Sequence, residues 1–222
     1  MTIVMSRSPI SILLGADAPR VLTTPMLAAI LSDRRKLPAR NTQFRWIREQ
    51  VRSGVLRPMT RGLYLNQLAT PRPTAAEAAG FIRTGAIVSL QTVLGEAGIT
   101  NNFPDVVTSL VPHEPGHVSS VRPVRAADVE FRFHSMPARF LDDRAGRMED
   151  RLDLDVKYAR ATPEKALLDW LYLGGSPYSR IAGPPFDVEF EQLSGSRLRR
   201  LASSMELTEE LKVWQKQVLS RR

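Results

Sequence analysis

The stretch NTQFRWIREQVRSGVLRPMTRGLYL, residues 41–65, decides how the chain is read. Its first half has helical periodicity: Phe44, Ile47 and Val51 recur at i, i+3 and i+7, which at about 100° per residue aligns them as one apolar stripe. Asn41 is a residue type that caps a helix start, and Gly54 suits the left-handed position just past a helix end. On the same wheel Arg45 and Arg52 lie about a quarter turn from the stripe, Arg48 borders it, and Thr42, Gln43, Trp46 and Gln50 fall towards the far side. The second half changes period. Val55-Leu56-Arg57-Pro58 and Leu63-Tyr64-Leu65 flank Met59-Thr60-Arg61-Gly62, which predicts a hairpin with Arg61 near its tip.

Upstream, Thr23-Thr24-Pro25 has the form of a cap followed by proline in the first helical turn, and Met26, Leu27, Ile30 and Leu31 continue at helical spacing to about Ser32. Helix, helix, then hairpin is the order of a winged helix-turn-helix. In that pose the second helix enters the major groove and the hairpin lies along the backbone. Arg45, Arg52, Arg57 and Arg61 are then expected on phosphates, and Arg40, Gln43 and Trp46, near the helix start, are expected to reach bases. Residues 33–40 form a connection longer than the usual 3 to 4 residues of this motif. It carries Arg34, Arg35, Lys36 and Arg40 and is a candidate phosphate-contacting loop.

The charge distribution points the same way. The 222-residue chain has a net charge of +8, with 31 Lys and Arg against 23 Asp and Glu. Residues 1–70 hold eleven basic and three acidic residues, and residues 71–222 hold twenty of each. The whole excess therefore sits on the first third, as expected of a polyanion-binding module followed by a neutral one. Two prolines in residues 68–73 place the boundary there, giving domains 1–70 and 71–222. With 43% hydrophobic residues the chain is expected to be soluble and globular.

The neutral remainder reads as a mixed α+β domain. Residues 74–84 and 90–98 suggest helices, and residues 86–89, 106–111, 129–134 and 154–159 suggest strands. Thr162-Pro163-Glu164 opens an apolar helix in which Asp169, four residues after Lys165, is expected to form the polar edge. Helices over about 187–193, 196–203 and 206–219 form a helical C-terminal tail. The fold class is thus α+β, with an N-terminal winged helix-turn-helix.

Signatures of catalysis are few. No cysteine is present, which removes disulfides and thiolate chemistry and suits a reducing, cytoplasmic setting. His113-Glu114-Pro115-Gly116-His117 matches the letters of a zinc-protease helix, but Pro115 and Gly116 break the helix that the chemistry needs, so a turn is expected. Asp142, Asp143, Glu149, Asp150, Asp153 and Asp155 are interleaved with arginines and suggest a solvated loop. Phosphate-loop, dinucleotide and nucleophile-elbow patterns are missing. The longest uncharged stretches, 21–32 and 84–95, have twelve residues each, below the roughly 18 that span a bilayer. The apolar run at 10–15 is short, so a first helix rather than a leader is expected. The expectation is a non-enzymatic protein without cofactor or metal.

Two stretches together resemble the AbiEi family of bacterial antitoxins: Arg61-Gly62-Leu63-Tyr64 closing the hairpin, and residues 158–169, YARATPEKALLD. The resemblance runs from about Thr23 to Leu173 and departs from the family in the long connection before Asn41 and in the tail after Gly174. It implies an N-terminal winged helix that binds repeats in the double-stranded promoter DNA of its own operon and represses it, and a dimer on DNA is one expectation. It also implies that the second domain counteracts a nucleotidyltransferase-like toxin without a stable complex. A winged-helix regulator with a ligand-sensing or dimerisation domain, and a nucleic-acid-processing enzyme anchored by the basic domain, are the alternatives.

Overall fold

The computed structural model describes residues 8–32, 39–101, 105–113, 122–141, 148–153, 155–177, 179 and 181–221. The protein is α+β, and its chain divides into two units, Met1–Ile82 and Arg83–Arg222.

In the first unit, α1 (Pro9–Ile12) is a single turn capped by Ser8. Strand β1 (Val21–Thr23) runs directly into α2 (Thr24–Leu31), whose first turn holds Pro25 and whose Met26 N–H bonds the Thr23 hydroxyl. Helix α3 (Arg40–Arg52) begins two residues earlier than a cap at Asn41 would place it. Ala39 occupies its cap position without a side-chain bond, so Asn41 lies inside the first turn and is not the cap. Its end is as expected, with Gly54 left-handed at φ +75°. Strands β2 (Leu56–Thr60) and β3 (Leu63–Asn66) form the hairpin, and β1 pairs antiparallel with β3, giving the order β1-β3-β2. Leu13, Leu22, Leu27, Ile47 and Leu56 form the core, with Ile30, Trp46, Val51, Val55, Tyr64 and Leu68 packed round it. Each fully buried leucine contributes about 2 kcal/mol.

The boundary expected at 70 and 71 falls inside this unit, which continues to Ile82. Buried Asn66 donates to the carbonyls of Leu13 and Pro19 and accepts from the Leu68 N–H, tying the start of the chain to the end of the hairpin. Thr70 N–H bonds the Gly15 carbonyl. Arg20 then grips Glu77 with two nitrogens, at 2.6 and 2.7 Å, and the Pro71 carbonyl with a third. Glu77 also completes a capping box with Thr74 at the start of a 3-10 turn, Ala75–Ala78, that leads into α4 (Ala79–Ile82). The proline-containing segment is therefore held in place and is not a free linker.

The second unit is built on a four-stranded sheet. Strands β4 (Ile87–Val88), β5 (Val106–His113), β6 (Val124–Ala126) and β7 (Val129–Pro137) lie in the order β4-β5-β7-β6, with β5 and β7 parallel and the other pairs antiparallel. Helix α5 (Leu90–Glu96) packs on β5 and on α8 (Pro163–Gly175). Short helices α6 (Ala138–Leu141) and α7 (Met148–Arg151) follow β7, and α9 (Gly195–Ser204) and α10 (Thr208–Leu219) end the chain.

Several expectations are corrected in this unit. Asp169 is not a polar edge: it is fully buried, ion-paired with buried Lys165, and accepts a 2.8 Å bond from the buried Ser89 hydroxyl. That one carboxylate fastens the turn before α5 to the first turns of α8. Asp150 is buried and paired with Arg197 and Arg200 of α9, so the acidic set is not uniformly solvated; Asp142 and Asp143 lie outside the described residues. Of the strand expected over 154–159, the described residues 155–159 form turn, bend and irregular backbone instead. Asp153 accepts the Asp155 N–H in a turn, and isolated bridges, Val88 with Arg160 and Leu152 with Ala161, join the residues around it to others. The helix expected at 187–193 is a 3-10 turn, Phe190–Gln192. His113 ends β5, and the remainder of the histidine-containing pentapeptide lies outside the described residues.

Two outcomes follow from these buried pairs. A chain ending at Ile82 is expected to fold cooperatively, whereas one ending at Thr70 loses the Arg20 clamp. Glu77→Gln in the full chain should cost about 2–3 kcal/mol by urea denaturation, since it removes the carboxylate that pairs with the largely buried Arg20 guanidinium; an unchanged midpoint would contradict this. Lys165→Met should cost about 3–5 kcal/mol, and the double change Lys165→Met, Asp169→Leu should recover part of the loss. A double variant less stable than the single one would contradict the assignment.

Candidate nucleic-acid interface

Helix α3 presents its charges according to which side the core takes up. Ile47 is 3% exposed and Gln50 8%, and Trp46 and Gln43 are half-buried. Phe44 and Val51 are half-buried too, and at about 100° per residue these six residues centre the inward face near Ile47, turned roughly 50° towards Gln50 from the Phe44–Ile47–Val51 stripe expected from the sequence. The opposite face is open. Asn41, Thr42, Arg45, Arg48, Glu49 and Arg52 are all exposed.

This rotation sorts the expected contacts. Arg45 and Arg52 lie on the open face as expected, and Arg48 joins them there, although its position beside the apolar residues gave no sign of it. Trp46 packs against the core cluster instead of facing outward, and Gln43 is turned the same way. Gln50, also expected outward, is buried. Arg40 is exposed at the helix start with its guanidinium 5.5 Å from the centre of the Phe44 ring. The size of Trp46 was the missed signal: a helix that sinks an indole must turn it towards the core, and Arg48 then turns out.

The hairpin supplies a separate cation. Arg61 is exposed in the turn, next to Gly62 at φ +79°. The turn is fastened to the first turn of α2, because Thr24 N–H donates to the Gly62 carbonyl at 2.9 Å. A Cβ on Gly62 would lie 3.0 Å from the Thr24 hydroxyl, so backbone angle and packing both call for glycine. Arg57 is placed differently. Its register partner is Leu65, opposite Val21 on the same side of the sheet, whereas Tyr64 and Leu22 on the other side meet the helix core. Half-buried Arg57 therefore does not share the side of the sheet on which α3 packs. The described part of the unit thus brings Arg45, Arg48 and Arg52 together on one helix and sets Arg61 on a pinned turn. Residues 33–38, with their basic cluster, lie outside the described residues.

In the second unit the titratable groups act as fastenings. A small, mostly apolar pocket lies between Ile87, Phe140, Leu152 and the Lys165–Asp169 pair. The fully buried Ser89 hydroxyl donates a hydrogen bond to Asp169. Among the described residues no cluster of histidine and carboxylate side chains is placed to hold a metal ion, and no helix is long and apolar enough to cross a membrane.

No protein-family profile matches the chain, and no curated protein matches it. Among solved structures it is similar to the RV2827C protein from Mycobacterium tuberculosis, at 17% identity and a TM-score of 0.47, over 93% of this chain and 78% of that one. A likeness at that level transfers nothing to this chain.

Gly62→Ala is expected to destabilise the protein by about 1–2 kcal/mol through the left-handed backbone alone. Thermal melts check this, and a melting temperature equal to that of the parent would contradict the pinned turn.

Proposed function

We propose that Met1–Ile82 is a winged helix-turn-helix with α3 as its recognition helix, and that the protein represses transcription by binding double-stranded promoter DNA. The observation that carries this is the exposed Arg45–Arg48–Arg52 face on a helix followed by a pinned hairpin bearing Arg61. Three guanidinium groups at i, i+3 and i+7 share one face of a 13-residue helix, a positive strip of the kind that neutralises phosphates. The charge partition supports the same reading, since the +8 excess coincides with this unit's first 70 residues.

The second unit is proposed as the antitoxin part of a bacterial toxin-antitoxin system, acting in the cytoplasm against a nucleotidyltransferase-like toxin without a required stable complex and without a cofactor. This part of the proposal rests on the AbiEi resemblance. Its more specific stretch, residues 158–169, contains the Thr162 cap and both members of the Lys165–Asp169 pair, so what is shared belongs to the framework of the unit. The surface that meets the toxin's pathway is therefore to be sought outside it.

The two roles separate in one experiment. Arg45→Ala, Arg48→Ala, Arg52→Ala in the full chain should weaken duplex binding across sequences, and the slope of log affinity against log salt should fall by about 0.9 for each phosphate that is no longer neutralised. The same variant should still relieve toxicity in cells that express the neighbouring toxin gene. Unchanged binding and salt slope would sink the interface, and a wild-type protein that gives no relief, or has no nucleotidyltransferase-like neighbour, would sink the antitoxin role.

A further inference from the structure

We infer that α3 reads an adenine and a guanine about two base-pair steps apart in the major groove, through Asn41 and Arg45, while Arg48 and Arg52 hold phosphate. This assignment rests on the duplex-binding reading above and gives that site its base preference.

Base edges are reached by the N-terminal part of a recognition helix. In the first two turns of α3 the core has already claimed Ile47, and Gln43, Phe44 and Trp46 are half-buried. Arg40, Asn41, Thr42 and Arg45 are what remains exposed. Arg40 leans on the Phe44 ring, at the edge of the inward face, and so is turned away from the centre of the open one. Asn41 and Arg45 stand one above the other at i and i+4, in the middle of the open face.

Their side chains have distinct chemistry. An asparagine amide can donate to and accept from the N7 and N6 edge of adenine, and an arginine fork donates twice to guanine O6 and N7. Four residues of α-helix rise about 6 Å. With about 3.4 Å between successive bases, two side chains so placed meet bases roughly two steps apart when the helix axis follows the groove. Thr42, one residue round the helix, is left to either a base edge or a thymine methyl.

The sign of the charge fixes which flank meets the backbone. Glu49 is the one acid in α3 and stands on the Thr42 side of the open face, where a phosphate would repel it. Arg52 stands in line with Asn41 and Arg45, two turns nearer the helix C-terminus, and Arg48 stands on the Asn41 side. That flank is the one suited to a phosphate row, and it leaves Asn41 and Arg45 aimed at the groove floor.

The test is selection from a randomised duplex library by the full chain, followed by fluorescence anisotropy on the selected and single-changed sites. Wild-type protein should enrich an adenine and a guanine about two positions apart. Asn41→Ala should lose about 5- to 150-fold of discrimination at the adenine and leave the guanine preference intact, and Arg45→Ala should do the reverse. Arg48→Ala should weaken all sites alike and keep the selected pattern. An unchanged pattern in both Asn41→Ala and Arg45→Ala, or uniform weakening by either, would overturn the assignment while leaving duplex binding standing. Failure of wild-type protein to bind any duplex at low salt, or equal binding to single-stranded RNA of the same length, would overturn the underlying reading and the assignment with it. Both base-reading positions are exposed, so thermal melts of the variants should match the parent.

Discussion

The burial of Ile47 in the first unit sets the rotation of α3, and most of what the unit can do follows from that rotation. A helix has one degree of freedom about its axis once its ends are fixed. Ile47 meets Leu22, Leu27 and Leu56, while Trp46 and Val51 pack at the margin of the same cluster. A buried side chain of this size is worth about 2 kcal/mol, so turning the helix by one residue would cost more than any surface charge pair gives back. Arg45, Arg48 and Arg52 are left outside by this choice. Their exposure is a consequence of packing on the other side of the helix.

Polar groups then fix what the apolar core leaves loose. Asn66 and the Arg20–Glu77 pair bind the start of the chain and the segment after the hairpin into one body, and Thr24 holds the turn that carries Arg61. The second unit uses the same device on a larger scale. Asp169 gathers Lys165 and Ser89, and Asp150 gathers Arg197 and Arg200. Pairs with a buried carboxylate, such as these, add little net stability but penalise arrangements in which that carboxylate is left alone. They therefore specify which segments lie together, and their residues are committed to that task. The division of labour fits the charge count: arginines of α3 mostly occupy solvent-facing positions, whereas several of those in the neutral unit are taken up by carboxylates.

Local signals were legible in the sequence because they act over three or four residues. The caps at Thr23 and Thr162, the prolines in the first turns that follow, Gly54 past the end of α3 and the hairpin at Arg61-Gly62 all form where their residue types place them. What was not legible depends on partners distant in sequence. Asp169 looks like the polar edge of α8 until Ser89 is brought to it, and Asp150 looks solvated until α9 arrives. Pro71 and Pro73 suggest a linker until Arg20, some fifty residues earlier, takes hold of the Pro71 carbonyl. The rotation of α3 is an intermediate case. Its apolar residues span a wide arc, and Phe44 and Trp46 compete for the inward direction; the core settles this in favour of Trp46, which moves Arg48 into the candidate site and Gln43 out of the centre of it.

A single face of α3 is proposed to meet duplex DNA, and titration of the isotope-labelled full chain with a duplex, followed by NMR, reads that face residue by residue. The amide and guanidinium signals of Asn41, Arg45, Arg48 and Arg52 are expected to shift together with those of Arg61, while Arg57 and the indole of Trp46 stay close to their free positions. Shifts centred on Gln43 and Trp46, or on the second unit with α3 unaffected, would contradict it.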